Sequence, residues 1–275
     1  MARARKRFGQ HFLEATWARK VVEAIGPHPD EAFIEIGPGT GALTRPLAER
    51  AAAVVAIEVD RDLVRQLRAA AITGVQVIEG DFLALSPENL KEAIGPHVSS
   101  ARLRVAGNLP YNVASRILFR LVELGQAGMD FPDATLMLQR EVAARLLASP
   151  GSKAYGVLAI LIGHRAKISK LLDLPPGAFR PAPDVHSTLL RFEFHAADPP
   201  VRSQEVLAAL VQAIFTRRRK TLANALRAFP LSDRLSPLDA LRTAAVDPGR
   251  RPETLTIAEC ARLADAFAAP RAQSG

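Results

Sequence analysis

The sequence contains a single cysteine, Cys260, among 275 residues. One thiol excludes an internal disulfide and a cysteine-based zinc site, and such cysteine usage is typical of a cytosolic protein. The longest apolar run, "GVLAILIG" at 156–163, falls well short of the roughly 18 residues needed to cross a bilayer. The basic start "MARARKR" is not followed by the apolar segment of a signal peptide. We therefore expect a cytoplasmic protein with no membrane segment and no targeting signal.

Basic residues outnumber acidic ones, with 36 lysines and arginines against 28 aspartates and glutamates, a net charge of +8 and a sequence pI near 10.2. Such a balance favours a polyanionic partner such as nucleic acid. Exposed, solvated side chains would give the same balance, so charge alone leaves the partner open. With 48% hydrophobic residues, the chain is large enough to bury a core without disulfides or metals.

From residue 32 onward, short β-rich runs alternate with stretches of helical pattern. Such alternation is typical of a doubly wound α/β sheet, in which each helix forms a right-handed crossover between parallel strands. We predict strands at 32–36, 53–58, 75–78, 102–107 and 134–139, and helices over 40–51, 60–71 and 114–125.

The pattern changes after residue 139. "REVAARLLA" has a helical pattern, whereas "YGVLAILIGHRAKI" and "STLLRFEF" predict a longer antiparallel pair that closes a mixed sheet. The polar, proline-containing stretch 195–203 indicates a linker, and helical spacing of apolar residues follows at 206–226, 236–245 and 256–268. The sequence therefore predicts an α/β domain over 1–195 and a small all-helical domain over 196–275.

Three glycines, Gly37, Gly39 and Gly41, lie in "IEIGPGTGALT" between a predicted strand and a predicted helix. Glycines at such a turn let the backbone approach a ligand and leave helix N–H groups free to contact it. The motif alone does not identify the ligand, because similar turns bind dinucleotides, S-adenosylmethionine or nothing.

Acidic residues follow at the next two strand ends. Glu58 comes 17 residues after Gly41, where a carboxylate accepts hydrogen bonds from both hydroxyls of a ribose in NAD or in S-adenosylmethionine. Asp81, in "EGDF", lies where the adenine amine of a methyltransferase cofactor would be, although an aspartate after a strand also forms turns or caps. The succession of signals predicts a ligand site at the carboxyl edge of the sheet.

The fourth predicted strand ends in "GNLPYN", at that same edge. An exocyclic aromatic amine such as N6 of adenine is a poor nucleophile, because its lone pair is delocalised into the ring. The side-chain oxygen of Asn108 and the carbonyl of Leu109, held rigid by Pro110, can each accept one amine hydrogen and localise that lone pair. The ring of Tyr111 offers a face on which the base can stack. A simple strand-ending turn is the alternative, and the neighbouring cofactor signals argue against it.

Taken together, the motifs resemble those of the small-subunit ribosomal RNA adenine N6,N6-dimethyltransferases, relatives of the erythromycin-resistance methyltransferases that act on large-subunit RNA. The resemblance covers roughly 5–227, and "NLPYN" and "RRRKTLANAL" favour the dimethyltransferases. It implies a Rossmann-like class I methyltransferase sheet that uses S-adenosyl-L-methionine. The blocks that carry it are "KRFGQHFL", "IEIGPGTGALT", "IEVDRDL", "GDF", "GNLPYN", "QREVAARL", "FRPAPDVHSTLLRF" and "FTRRRKTLANAL".

The resemblance also implies which residues act. Where the family more often has asparagine, this chain has His11, and the expected contact involves the backbone. Phe179 matches an aromatic residue expected on the second face of the target adenine, and a core aromatic is the alternative. The expected cofactor-binding residues are His11, Leu13, Gly37, Gly39, Glu58, Asp81, Phe82 and Asn108, and the expected catalytic residues are Asn108, Leu109, Pro110, Tyr111 and Phe179.

Basic residues are candidates for RNA phosphate contacts, which position a substrate without reading its sequence. On a helix the four residues of "RRRK" at 217–220 cannot share one face, so one or two would reach RNA. His164, His186 and His195 lack metal-ligand spacing, and we expect no metal. The RNA-binding candidates are Arg5, Lys6, Arg7, Arg116, Arg140, Arg217, Arg218 and Lys220.

The resemblance implies a monomer that dimethylates N6 of two adjacent adenosines in the 3′-terminal hairpin of 16S rRNA within the small ribosomal subunit or its precursor. Two other functions fit parts of the sequence. An NAD-dependent oxidoreductase would use the glycines and Glu58 but has no role for "NLPYN". An assembly factor that uses the fold without chemistry would have no need of Asn108 and Tyr111.

Overall fold

The computed structural model describes residues 11–95, 102–110, 112–233 and 235–268. The chain divides into two compact units. The first contains the described residues of Met1–Ala143 and Lys167–Phe194, and the second those of Ala144–Ala166 and His195–Gly275. A single boundary at residue 195, as the sequence predicts, differs from this division because residues 144–166 belong to the second unit.

The strands are β1 (Phe12–Leu13), β2 (Glu31–Ile36), β3 (Ala53–Glu58), β4 (Val75–Glu79), β5 (Arg102–Asn108), β6 (Asp133–Gln139), β7 (Ala166–Leu174), β8 (Phe179–Arg180) and β9 (Ser187–Phe194). The first unit is built on a seven-stranded sheet with the order β4-β3-β2-β5-β6-β9-β7. Neighbours from β4 to β6 are parallel, and β9 is antiparallel to β6. A separate two-stranded antiparallel ribbon pairs β1 with β8.

Every residue of β2 and β3 is buried, as expected for central parallel strands covered on both faces. The five predicted parallel strands are confirmed as β2 to β6, and each end lies within one residue of its predicted position. Helix α2 (Thr44–Ala48) is much shorter than the predicted helix 40–51, and helices α1 (Ala15–Ile25) and α4 (Pro87–Ile94) were not predicted. The helices that follow or precede these strands are α1 (Ala15–Ile25), α2 (Thr44–Ala48), α3 (Arg61–Ala69), α4 (Pro87–Ile94), α5 (Ala114–Gln126) and α6 (Arg140–Leu146).

The predicted strand over "YGVLAILIGHRAKI" is wrong in its first half. Residues Val157–Gly163 form helix α7, and strand β7 begins only at Ala166 and continues to Leu174. A continuous apolar run has no periodicity that separates a buried helix from a buried strand, so the pattern could not decide between them. The predicted partner, "STLLRFEF", forms β9 and lies between β6 and β7.

The second unit is helical, and the described residues of 195–268 contain no strand. Its core forms around α8, where Leu207, Leu210, Val211 and Ile214 are completely buried. Ser203 and Ser236 cap the first turns of α8 and α10 by accepting backbone N–H groups. Within the described ranges, no helix combines the length and apolar character that a membrane span requires. Besides α7, the helices are α8 (Gln204–Thr216), α9 (Leu222–Ala225), α10 (Pro237–Thr243) and α11 (Ile257–Ala268).

Candidate active site

The chain order of the sheet reverses between β2 and β5. Strands β3 and β4 lie on one side of β2, whereas β5 and β6 lie on its other side. Ligands of open α/β sheets bind beyond the carboxyl ends of the strands at such a switch point. A cavity of about 370 Å³ lies there. Its lining includes all eight predicted cofactor-binding residues, His11, Leu13, Gly37, Gly39, Glu58, Asp81, Phe82 and Asn108, and the predicted catalytic residues Leu109 and Pro110.

The loop between β2 and α2 requires glycine at two positions. Gly39 has a φ of +60°, and a Cβ atom there would lie 3.2 Å from the ring of Phe12. Gly41 has a φ of +84°, and a Cβ atom would lie 2.8 Å from Cδ2 of Leu67. Both positions combine a left-handed backbone with close contacts, so a side chain would displace the loop from the cavity wall.

Glu58 holds this loop from the end of β3. Its Oε2 accepts the N–H of Gly39 at 3.0 Å, and its Oε1 accepts the N–H of Asp60 at 2.9 Å. Burial raises the pKa of Glu58, while these backbone N–H groups partly oppose the change. A carboxylate has roughly four acceptor positions, so Glu58 can hold the loop and still accept ribose hydroxyls.

Asp81 serves as a turn former and also reaches the cavity. Its Oδ1 accepts the N–H of Leu83 at 3.0 Å, which is the turn-forming role that the sequence left open. The side chain is exposed and lines the cavity, and the buried ring of Phe82 lies next to it in the lining. The two roles of Asp81 are therefore compatible, because only one of its oxygens is used by the turn.

Asn108 is oriented by a hydrogen bond to the backbone of His11. Its Nδ2 donates to the backbone carbonyl of His11 at 2.9 Å, which directs the amide nitrogen away and leaves Oδ1 as its acceptor. The imidazole Nδ1 of His11 lies 2.7 Å from the carbonyl oxygen of Pro181. Phe12 and Leu13 pair with β8 in the ribbon. The contact of His11 with Asn108 thus uses the backbone of His11. It does not depend on the imidazole, which is where this chain differs from the family pattern.

The "GNLP" turn brings β5 very close to β2. A Cβ atom at Gly107 would lie 2.6 Å from the carbonyl oxygen of Ile36, so only glycine fits. The N–H of Leu109 donates to the carbonyl of Met137 at 3.3 Å, whereas no backbone N–H of the described residues donates to the Leu109 carbonyl. Leu109 itself is buried and lines the cavity. Tyr111, predicted to stack on the substrate base, lies outside the described residues.

Phe179 does not line the cavity. Its side chain is completely buried in a core cluster that also contains Leu13 and Ala178, and its backbone pairs with Leu13. This placement is the core-aromatic alternative that the sequence left open. Stacking of Phe179 on a base stays a prediction, and it requires the ring to leave this packing site.

The predicted RNA-binding residues have different surroundings. "RRRK" lies in a turn after α8, not on a helix, and Arg217 and Lys220 are exposed there. Arg218 instead donates to the carbonyls of Lys153 at 2.8 Å and Ser152 at 3.0 Å, so its guanidinium supports a loop of its own unit. Arg116 and Arg140 are exposed, whereas Arg5, Lys6 and Arg7 lie outside the described residues.

The histidines singled out in the sequence do not form a metal site. His164 is buried, with Nε2 2.6 Å from the carbonyl oxygen of Pro199, whereas His186 and His195 are exposed. Across the described ranges, no group of three or more histidine, cysteine, aspartate or glutamate side chains is arranged to hold a metal ion.

Sequence reasoning missed Glu35, which lies in β2 and lines the cavity. Its side chain is buried, and its Oε2 has no hydrogen-bond partner among the described residues. Burial raises the pKa of Glu35 to about 7, the nearby Thr44 hydroxyl lowers it in part, and the charge of Glu58 raises it further. The available signal was an acidic residue inside the otherwise apolar strand "AFIEI".

The electrostatic character of the cavity follows from its side chains. The described lining contains three carboxyl groups, from Glu35, Glu58 and Asp81, and neither lysine nor arginine. A cavity so lined suits a ligand that carries positive charge and hydrogen-bond donors such as ribose hydroxyls.

Comparison with known proteins agrees with this arrangement. The profile of the family described as "Ribosomal RNA adenine dimethylase" matches residues 1–268. A protein of Aromatoleum aromaticum named "Ribosomal RNA small subunit methyltransferase A" is 40% identical over 275 residues, which cover 98% of this chain and 97% of the relative. A protein of the same name from Burkholderia is 42% identical over 266 residues, covering 95% and 91% of the two chains.

Two solved structures share the fold. A dimethyladenosine transferase from Plasmodium falciparum has a TM-score of 0.74 at 22% identity, with 92% of this chain and 96% of that one covered. The 23S rRNA methyltransferase ErmE has a TM-score of 0.64 at 24% identity, with 94% and 100% covered. With a family profile that matches nearly its whole length and relatives at about 40% identity, the chain belongs to the ribosomal RNA adenine dimethylase family.

Proposed function

We propose that this protein uses S-adenosyl-L-methionine to dimethylate N6 of two adjacent adenosines in the 3′-terminal hairpin of 16S rRNA, within the small ribosomal subunit or its precursor. It would thereby take part in the biogenesis of that subunit. Family membership and the names of the relatives support the reaction class and the RNA. The single observation that carries the assignment is the position of Asn108 and Leu109 in the lining of the acidic cavity.

The cavity fits the cofactor chemically. S-adenosylmethionine supplies, when bound, an electrophilic methyl group on a positively charged sulfur. The glycine loop lets the backbone approach a ligand, and Glu58 and Asp81 offer acceptors for ribose hydroxyls and an adenine amine. The orphaned Oε2 of Glu35 and the absence of cationic side chains from the described lining favour a cationic ligand. His11, Leu13 and Phe82 also line the cavity.

Asn108 and Leu109 activate the amine of the substrate by accepting its hydrogens. Because Nδ2 of Asn108 is held by the His11 carbonyl, Oδ1 is the atom of this amide that is left to accept a hydrogen, and the Leu109 carbonyl receives no backbone N–H from the described residues. Two acceptors so placed draw both N–H bonds to one side and localise the lone pair on the other. Neither group has to take the proton, so catalysis depends on orientation and on a site that excludes water.

The substrate base is proposed to lie against Tyr111, and against Phe179 once that ring has left its core position. Exposed cations, including Arg116, Arg140, Arg217 and Lys220, are proposed to contact RNA phosphates. We further propose that residues 1–195 carry catalysis, that 196–275 contribute to RNA or ribosome binding, and that the protein acts as a cytoplasmic monomer.

The direct test is methyl transfer from labelled S-adenosylmethionine to small ribosomal subunits that lack the modification, followed by nuclease digestion and mass analysis of the nucleosides. We expect N6,N6-dimethyladenosine near the 3′ end of 16S rRNA. Asn108→Ala should lower the rate by on the order of a hundredfold or more, because it removes a transition-state acceptor. Asn89→Ala, which removes an exposed amide on α4, is the matched control and should keep the rate.

The outcomes separate the alternatives. Transfer to protein-free large-subunit RNA, but not to small subunits, would place the chain with the erythromycin-resistance branch. An Asn108→Ala protein that binds small subunits normally but methylates none would show that assembly binding and chemistry are distinct. Retention of a nicotinamide cofactor in place of S-adenosylmethionine would refute the assignment and favour an oxidoreductase.

A further inference from the structure

Glu35 is an acidic side chain in the middle of the sheet with almost no polar support. It is 1% exposed, and its neighbours in register on β3 and β5 are Ala56 and Ala106. Neither its Oε2 nor the nearby Oγ1 of Thr44 has a hydrogen-bond partner among the described residues. A buried ionised carboxylate without a cation or donors is strongly disfavoured, so such a group takes up a proton or requires a charge partner.

The protein supplies no cationic partner from the residues described around this site. The charged or titratable groups that face the same cavity are the carboxylates of Glu58 and Asp81 and the imidazole of His11, and Glu58 acts on Glu35 by repulsion. The Thr44 hydroxyl on α2 is the other polar group beside it. Burial and Glu58 together favour the neutral form of Glu35 in the empty cavity.

We propose that Glu35 is a proton-exchanging counter-ion for the cofactor. Its carboxyl group holds a proton while the cavity is empty, and it releases that proton when the positively charged cofactor enters. This inference rests on the proposed function, since it requires S-adenosylmethionine as the ligand. The O–H bond of the carboxyl group breaks, the proton passes to water, and the positive charge of the ligand takes the place of the lost proton. No other bond changes.

A pKa of about 7 for Glu35 makes this exchange measurable near neutral pH. At about pH 6 roughly nine-tenths of the carboxyl groups are protonated in the empty protein, and at about pH 8 roughly one-tenth. The α-amino group of the cofactor, with a pKa of roughly 7.7–8.0, stays protonated at the lower pH. Binding should therefore release close to one proton at about pH 6 and far less at about pH 8.

The experiment is titration calorimetry of the full chain with S-adenosylmethionine at about pH 6, in two buffers that differ in their enthalpy of ionisation. The difference between the two heats gives the number of protons released. We expect Glu35→Gln to bind with release reduced to near zero. Glu49→Gln removes an exposed carboxylate just after α2, and this control should release as many protons as the unmodified protein.

Infrared difference spectra supply a second readout. Binding should remove the carbonyl band of a protonated carboxylic acid, and Glu35→Gln should lack that change. The spectra also distinguish Glu35 from His11, whose imidazole has no such band. Glutamine has the shape of the protonated side chain, so the variant is expected to fold, and its unfolding temperature without cofactor checks this.

Failure of this inference differs from failure of the proposed function. Cofactor binding without proton release, or equal release by Glu35→Gln, would refute the role of Glu35 and leave the methyltransferase assignment intact. Absence of any S-adenosylmethionine binding by the folded protein would refute the assignment itself, and this inference with it.

Discussion

Arg104 is the group on which we expect the stability of the first unit to depend most strongly. It is 4% exposed, and its guanidinium bonds to Glu31 at 2.8 Å and to Asp133 at 3.0 Å. It also donates to the carbonyls of Ile25 at 3.1 Å and Gly26 at 3.3 Å, at the end of α1. Burial alone would lower the pKa of Arg104, but the two carboxylates raise it above its ordinary value. The cation is therefore kept in a buried network.

Replacing Arg104 with methionine keeps most of the side-chain volume and removes the charge. The carboxylates of Glu31 and Asp133 are then left buried without their cation. The carbonyl of Gly26 loses its side-chain donor, whereas the carbonyl of Ile25 keeps Arg191 as a donor at 2.8 Å. Removing one partner of a buried ion pair costs about 3–5 kcal/mol, much of it the penalty of the orphaned charge. Because one arginine serves two carboxylates, we expect a loss in the upper part of that range.

The assay is urea-induced unfolding followed by the fluorescence of Trp17, the only tryptophan, which lies on α1 in the first unit. The matched variant combines Arg104→Met with Glu31→Gln and Asp133→Asn. Since it buries no unpaired charge, it should recover most of the lost free energy of unfolding. A loss below about 1 kcal/mol for Arg104→Met, or equal instability of the triple variant, would refute the reasoning.

Three further predictions concern the cavity. Gly107→Ala should lower the free energy of unfolding by about 1–3 kcal/mol, because the new Cβ meets a backbone oxygen at 2.6 Å. The control is Gly125→Ala on α5, where a Cβ meets nothing within 4 Å, and this variant should be neutral or stabilising in the same urea assay. Glu58→Ala should weaken S-adenosylmethionine binding by roughly tenfold or more, since it loses both the ribose acceptor and the hold on the glycine loop; unchanged affinity by calorimetry would contradict the ribose contact. Burial raises the pKa of Glu35 from 4.5 to about 7, so the stability that its neutral form provides is fully present below about pH 4.5 and is lost as pH rises to about 7. Without cofactor, the free energy of unfolding of Glu35→Gln, relative to that of the unmodified protein, should therefore rise by up to about 3 kcal/mol across that pH interval. Parallel pH profiles of the two proteins would contradict this.

The parallel strands could be predicted because each is a short apolar run bounded by turn residues. β3, for example, begins and ends where the run "AVVAIE" does. Helix α7 could not be distinguished from a strand, since Ala159, Ile160 and Ile162 are all buried and leave no polar face. Helix α2 was predicted too long, because the backbone from Gly41 to Leu43 forms turns before the helix begins at Thr44.

Much of the candidate site could also be predicted, because the carboxyl ends of parallel strands meet at one edge and the order of the motifs fixes which ends are neighbours. The remaining features depend on tertiary contacts that no local pattern reports. Phe179 is buried in a core cluster with Leu13, which lies far from it in sequence. Arg218 is engaged by the carbonyls of Ser152 and Lys153, although within "RRRK" it looks as free as its neighbours.

The two ends of β5 are held by the same N-terminal segment. Asn108 donates to the carbonyl of His11, and Arg104, four residues earlier, donates to the carbonyl of Ile25. The strand between them spans about 13 Å and α1 about 16 Å, so the helix runs nearly the length of the strand segment that it accompanies. Arg104 therefore holds the carboxyl end of a segment whose amino end orients the Asn108 amide, and that amino end is itself paired with β8. Strand β5 thus joins the buried ion network at Arg104 to the amine acceptor at Asn108, and each of the two residues is anchored to a different part of residues 11–25.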